Sequence, residues 1–330
     1  MSHDNPVHER PAPSRPDAPA SDAPPSGAKV MSMRDAVARF VHDGDTVVIE
    51  GFTHLICFAA AHEIIRQGRR DLVLCRLTPD LIYDQMIGAG CARKLVFSWA
   101  GNPGAGSLHA FRRAVEGPAG DSGRRLEIEE YSHFGMVARL AAGAAGLPFW
   151  PMRDYAGTDL PAANPRIASV TCPYTGETLA TVPALNPDVT IIHAQRADAE
   201  GNTQIWGLLG VQKEAAFASR HVIVVAEELV DERLIRADPN RTLVPGFIVD
   251  AVVHEPWGAH PSYAQGYYDR DNAFYVSWER ISRDPAKLAT YLDTYVMGVP
   301  DRTGYLAAMP GLAERLRAGD RTCAGVNYGY

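Results

Sequence analysis

The 330-residue sequence predicts an α/β fold, an open and mostly parallel sheet with flanking helices and a small antiparallel insertion. Three observations carry that prediction. From Ser32 to Ala145 short apolar, β-branched runs alternate with helical stretches, and the same alternation resumes at Val189. Between them, from Leu147 to Pro187, the rhythm loosens into short segments punctuated by Pro148, Pro151, Pro161, Pro165, Pro173 and Pro183, as an antiparallel insertion or flap would require.

Residues 1–28 are dominated by Pro, Ala, Ser, Asp and Gly and hold almost no large apolar residue, so they cannot offset the entropy of ordering themselves. They are expected to be a disordered tail, with one domain over 29–330. Ser32 is a candidate N-cap for a helix through Val41. The turn Asp43-Gly44 then feeds a strand at Thr46–Ile49, and Gly51 lets the chain leave that strand with no Cβ in the way. A helix over Phe58–Gln67 is stopped by Gly68, and a strand over Leu72–Leu77, a helix over Leu81–Ile87 and a strand over Lys94–Trp99 follow. Ser107 is a candidate cap for a helix through Val115, Leu126–Tyr131 reads as a strand, and Phe134–Ala145 is an Ala-rich helix closed by Gly146-Leu147-Pro148.

In the second half, Val189–Gln195 and His221–Ala226 read as buried strands, with a helix over Val211–Ser219 between them. Phe247–Val253 is a further apolar strand, leading into the turn-rich segment Glu255–Ser262. Asp284–Met297 and Gly304–Ala318 read as two terminal helices.

Composition narrows the function. With 46% hydrophobic and 22% charged residues the chain is that of an ordinary globular protein, and its net charge of -7, without a basic cluster interleaved with aromatics, argues against nucleic-acid binding. No apolar stretch is long enough to span a bilayer and no signal peptide is evident, so a cytoplasmic protein is expected. Five cysteines at irregular spacing, 57, 75, 91, 172 and 323, fit neither a disulfide framework nor a zinc ribbon and are expected to be reduced.

Familiar catalytic signatures are missing: no phosphate loop of the Gly-Lys-Ser type, no His-Glu-x-x-His helix, no Gly-x-Ser-x-Gly elbow. No metal site is expected. The cluster Gly101–Gly106 precedes a helix but lacks dinucleotide spacing, and reads either as an anion-binding turn or as a flexible loop. His193, inside an apolar strand, reads as a hydrogen-bonded core histidine, and His260 is a candidate functional residue on the Gly-Pro loop. Glu50 ends the first strand as either a reactive carboxylate or a solvated strand end.

Three segments together narrow the class further. DGDTVVIEGF from Asp43, IIHAQRADAEGNTQIWG from Ile191 to Gly207 and VDAVVHEPWGAHPSYAQGYYDRDNAF from Val249 to Phe274 resemble the A subunits of family I coenzyme A transferases, above all the glutaconate CoA-transferase α subunit. The likeness runs from about Val30 through the Asp284 helix. Asp43, Gly44, Val47, Val48, Ile49, Gly51 and Phe52 match the family's first motif, whereas Glu50 replaces the first glycine of a pair and Phe58-Ala59 stands where a Gly-x-Pro is usual.

The resemblance implies the family I fold and an obligate B (β) subunit of related fold, in a heterotetramer or larger assembly. It also implies a CoA thioester as substrate, with no permanently bound cofactor, and a second substrate that is a dicarboxylic or 3-oxo acid. In such enzymes the nucleophilic glutamate lies on the B subunit, so no catalytic residue is expected on this chain. Gly51, Phe52 and Thr53 would offer amides to the thioester oxygen, Gly258, Ala259, His260 and Ser262 would line the pocket, and Glu50 would be structural or face the substrate. Two other readings stay open: a subunit of an acyl-CoA hydrolase, since the ring-cleaving steroid hydrolases are similar, and a non-catalytic CoA-thioester-binding subunit.

Overall fold

The computed structural model describes residues 29–117 and 125–318. The tail at 1–28 and Cys323 lie outside the described residues. Chain order gives α1 (Met33–Phe40), β1 (Thr46–Glu50), α2 (Phe58–Arg66), β2 (Leu72–Cys75), α3 (Leu81–Gly88), β3 (Ala92–Phe97), α4 (His109–Glu116), β4 (Glu127–Glu130) and α5 (His133–Ala144). An insertion follows, with β5 (Phe149–Met152), α6 (Leu160–Ala163), β6 (Ala168–Thr171) and β7 (Thr178–Pro183). The second half holds β8 (Val189–Ala197), β9 (Thr203–Gln204), α7 (Gln212–Ala218), β10 (His221–Leu229), α8 (Glu232–Ala237), β11 (Thr242–Val244) and β12 (Ala251–His254). Four helices close the described chain: α9 (Asn272–Arg283), α10 (Pro285–Leu292), α11 (Arg302–Ala307) and α12 (Leu312–Leu316).

Seven strands pair in parallel in the order β4-β3-β2-β1-β8-β10-β12. Beyond the end of β1, β9 pairs antiparallel with Arg196 and Ala197 of β8, and β11 pairs antiparallel with β9. The insertion forms a separate antiparallel sheet, β5-β7-β6. Because the inner parallel strands bury both faces, they are largely apolar along their length, whereas the edge strand β4, Glu-Ile-Glu-Glu, is mostly exposed. Val47, Ile49, Leu74, Leu95, Ile191, Ile223 and Val253 pack on one face against α1, α2, α3, α9 and α10. Val48, Val73, Cys75 and Val96 pack on the other face against α5, α7 and the insertion.

Several boundaries depart from the sequence reading for identifiable reasons. Ser107 does not cap α4; its first amides are met from across the fold by the Ser282 hydroxyl, at 3.0 and 3.2 Å from His109 and Ala110, and by Asp84 Oδ1, 2.8 Å from Phe111. Phe247 lies in a short 3-10 turn and is 82% exposed, so the strand begins only at Ala251. The helix expected over Gly304–Ala318 is two, α11 and α12, interrupted at Met309-Pro310-Gly311, where Pro310 cannot continue a helix and Gly311 is left-handed. The twelve-residue α9, capped by Asp271, and the short α8 were not expected at all. Among the described cysteines all four are free thiols, and Cys57, Cys75 and Cys91 are buried. No helix of the described residues is long and apolar enough to cross a membrane.

Candidate functional site

The chain winds outward from β1 through β2, β3 and β4, then returns to the other side of β1 with β8. Open α/β sheets leave a crevice at the carboxyl ends of strands where the winding reverses, and ligands bind there. The β1–β8 ladder ends at Glu50, opposite Ile192, while β8 runs on and takes β9 as its neighbour. With that edge occupied, the chain must leave the sheet at Gly51.

The exit is tight. Gly51 has φ 157, and a methyl group there would stand 2.6 Å from the carbonyl oxygen of His54 and 2.7 Å from that of Leu55. Thr53 and Leu55 are both left-handed, at φ 57 and 54. His54 clamps the bend: its Nδ1 lies 3.0 Å from the Leu208 carbonyl, so this nitrogen carries the proton, and its Nε2 accepts from the Gln265 amide at 3.0 Å. Burial lowers the His54 pKa to about 4, which keeps the ring neutral and both bonds intact at neutral pH. Among the described residues no acceptor takes the N–H of Phe52 or of Thr53.

Glu50 is 2% exposed, which removes the solvated strand end as an alternative. Its carboxyl fits beneath Gly210, where a Cβ would be 2.7 Å from Oε1. Burial raises its pKa, opposed by the Arg76 charge and by the Gly51 and Val211 amides. Among the described residues its Oε2 has no hydrogen-bond partner, nor has Nε2 of the buried Gln212.

Residues 258–262 meet the same bend from the other side. The Ser262 hydroxyl donates to the Thr53 carbonyl at 2.9 Å, Leu55 N–H to the Tyr263 carbonyl at 2.9 Å, and Ala59 N–H to the Gly258 carbonyl at 2.9 Å. A methyl at Gly258 would stand 2.7 Å from His193 Cε1, so a glycine is needed for that approach. Ala259 is buried and donates its N–H to the Tyr268 hydroxyl at 3.1 Å. His260 is no loop tip: fully enclosed, it holds Tyr305 through Nδ1 at 2.9 Å and Asp271 through Nε2 at 3.1 Å, and burial lowers its pKa to about 4.

Beneath both loops, Glu227 at the carboxyl end of β10 accepts from His193 Nε2 at 2.6 Å, the Trp257 amide at 2.7 Å and the Tyr268 hydroxyl. His193 is thus the hydrogen-bonded core histidine that its apolar strand suggested. The sequence reading overlooked Arg76 and Asp80. Arg76 is fully buried, pairs with Asp80 at 3.1 Å and donates to the Gly51 carbonyl. A charged residue inside the apolar run Leu72–Leu77 was the signal that could have found it.

Comparison with known proteins agrees with this architecture. Residues 30–255 match the Coenzyme A transferase family model. The A subunit of the 3-oxoadipate CoA-transferase of Pseudomonas knackmussii is 55% identical over 280 residues, covering 85% of this chain and 98% of the relative. The cholesterol ring-cleaving hydrolase IpdA subunit of Rhodococcus jostii is 32% identical over 190 residues, 54% of this chain and 64% of that one. The crystal structure of glutaconate coenzyme A-transferase from Acidaminococcus fermentans superposes with a TM-score of 0.81 at 30% identity, covering 88% of this chain and 96% of that chain. The chain therefore belongs to the coenzyme A transferase family.

Proposed function

We propose that this chain is the A half of a two-subunit enzyme that moves CoA between an acyl-CoA and a dicarboxylic or 3-oxo acid, with the nucleophilic glutamate on its B partner. The reading is carried by the β1 exit loop, a forced glycine bend at the switch point that leaves the Phe52 and Thr53 amides without acceptors among the described residues. Likeness to the 3-oxoadipate transferase chain over nearly its whole length, against partial and weaker likeness to the ring-cleaving hydrolase chain, favours transfer over hydrolysis.

In this reading the partner's carboxylate adds to the thioester carbonyl and expels CoA thiolate, leaving a mixed anhydride. The thiolate then attacks the glutamyl carbonyl, releasing the donor acid and forming a glutamyl-CoA thioester, and the acceptor carboxylate reverses the sequence. Each addition builds negative charge on a carbonyl oxygen. Gly51, Phe52 and Thr53 form the wall that meets it, the two free amides acting as preorganised donors. Gly258, Ala259, His260 and Ser262 back that wall, and Ser262 fixes the Thr53 carbonyl directly. Glu50 stands behind Gly51 as a buried acid shaping the wall. No resident cofactor is required, since the CoA thioester is itself the substrate.

The test is reconstitution. Co-purified with its B partner, the chain should support exchange of radiolabelled CoA between acyl-CoA and free acid, and borohydride should trap a glutamyl-CoA ester on the partner. Exchange by this chain alone, or trapping on this chain, would overturn the shared-site reading.

A further inference from the structure

Arg76 has a place that burial alone does not account for. Its guanidinium is enclosed on all sides, and a buried charge of this kind costs several kcal/mol unless its charge and N–H groups are met. Nη1 lies 3.1 Å from Asp80 Oδ1, and Nη2 donates to the carbonyl oxygen of Gly51. Asp80 is itself fixed as the N-cap of α3, accepting from the Ile82 amide at 3.3 Å. The guanidinium lies 5.7 Å from the centroid of the Tyr83 ring. Among the described residues no other group donates to the Gly51 oxygen.

A trans peptide is planar, with its C=O and the following N–H pointing in opposite directions. Drawing the Gly51 oxygen inward onto Arg76 therefore turns the Phe52 N–H away from the protein interior, and that N–H has no acceptor among the described residues. We infer that Arg76 is a positioning residue for CoA transfer: buttressed by Asp80, it sets the plane of the Gly51–Phe52 peptide and so aims the Phe52 amide at the reacting thioester oxygen. The inference rests on the role proposed above for that amide. A lysine could supply the charge but not the two-point fork that grips Asp80 and Gly51 together.

The experiment compares Arg76→Lys and Arg76→Met with the parent chain, each assembled with the B partner. For Arg76→Lys, kcat for CoA exchange should fall about tenfold or more, and for Arg76→Met about a hundredfold, in the range seen on losing one oxyanion donor. The KM for acyl-CoA should stay within about threefold in both, a split that general loosening would not give. A crystal structure of Arg76→Lys should show the Gly51–Phe52 peptide rotated. If Arg76→Met does not fold, Arg76→Lys carries the test, since it keeps a cation opposite Asp80. An unrotated peptide, or a rotated one with kcat unchanged, overturns the positioning role while parent exchange continues. A parent pair that exchanges no CoA overturns the functional reading, and this inference with it.

Discussion

At the residue scale, the strand ends hold carboxyls that water does not reach freely, and their titration has consequences. Glu255, which follows β12 and opens the loop to Ser262, is pushed up to about 7 by burial, with the charges of Asp301 and Glu227 adding and that of Arg302 opposing. In the unfolded chain it should titrate at about 4.5. Between these values the native state holds the proton more tightly, so this group's favourable contribution is present below about 4.5 and lost as pH rises through 7. We therefore expect Glu255→Gln to melt at nearly the parent temperature at pH 4.5, above it by a margin that grows as pH rises to about 7, and by a constant margin beyond that. Parallel melting curves at all pH values would show that Glu255 is not strained in the folded state. At this scale the sequence was informative wherever backbone geometry makes the demand: Gly51 is forced by the carbonyls of His54 and Leu55, and a glycine after an apolar run announces such a bend. For Arg76 it offered only a charge inside the apolar run Leu72–Leu77, which marks an unusual position but not the salt bridge that allows its burial.

At the scale of elements, periodic apolar runs located β1, β2, β3, β8 and β10 and the helices between them, because the parallel sheet buries both faces and leaves that signature. What escaped were features supplied across the fold. The start of α4 has no side-chain cap of its own; Asp84 of α3 and Ser282 of α9 satisfy it, and Asp84 also accepts from Trp278 Nε1 at 3.0 Å and from the Ser282 hydroxyl. No local pattern around Ser107 could reveal a cap delivered from 27 and 172 residues away. This predicts a contrast. Asp84→Ala leaves an indole N–H, a hydroxyl and a helix-start amide unmet in the core and should cost about 2–4 kcal/mol. Ser107→Ala should stay within about 0.5 kcal/mol of the parent. Denaturant midpoints measure both, and equal costs would restore Ser107 as the cap.

For the molecule as a whole, the winding that places a crevice between β1 and β8 also sets where the fold is hardest to open. β1 and β8 each have parallel neighbours on both sides, and helices cover both faces of the sheet, so their amides cannot reach water without breaking the sheet. The insertion sheet differs. Its β6 is mostly exposed, the turn leading to β7 carries the almost fully exposed Tyr174, and it joins the rest through packing of Met152, Tyr155, Ile167 and Val182 on the α5 side and a few hydrogen bonds, among them Asn164 Nδ2 to the Glu130 carbonyl at 2.8 Å and Arg139 Nε to the Pro183 carbonyl at 3.0 Å. A small antiparallel sheet attached along one such side can detach without unfolding the parallel sheet, as local units in other proteins do. Hydrogen exchange followed by mass spectrometry should therefore show two classes. Peptides spanning 46–50 and 189–195 should exchange only by global opening, with a denaturant dependence equal to that of unfolding. Peptides spanning 149–152, 168–171 and 178–183 should exchange by a smaller opening of lower free energy. Equal protection and equal denaturant dependence in both sets would mean that the insertion and the sheet unfold as one unit. If the two classes separate, the crevice sits on the least deformable part of the chain, as a wall that must hold two amides in fixed directions requires.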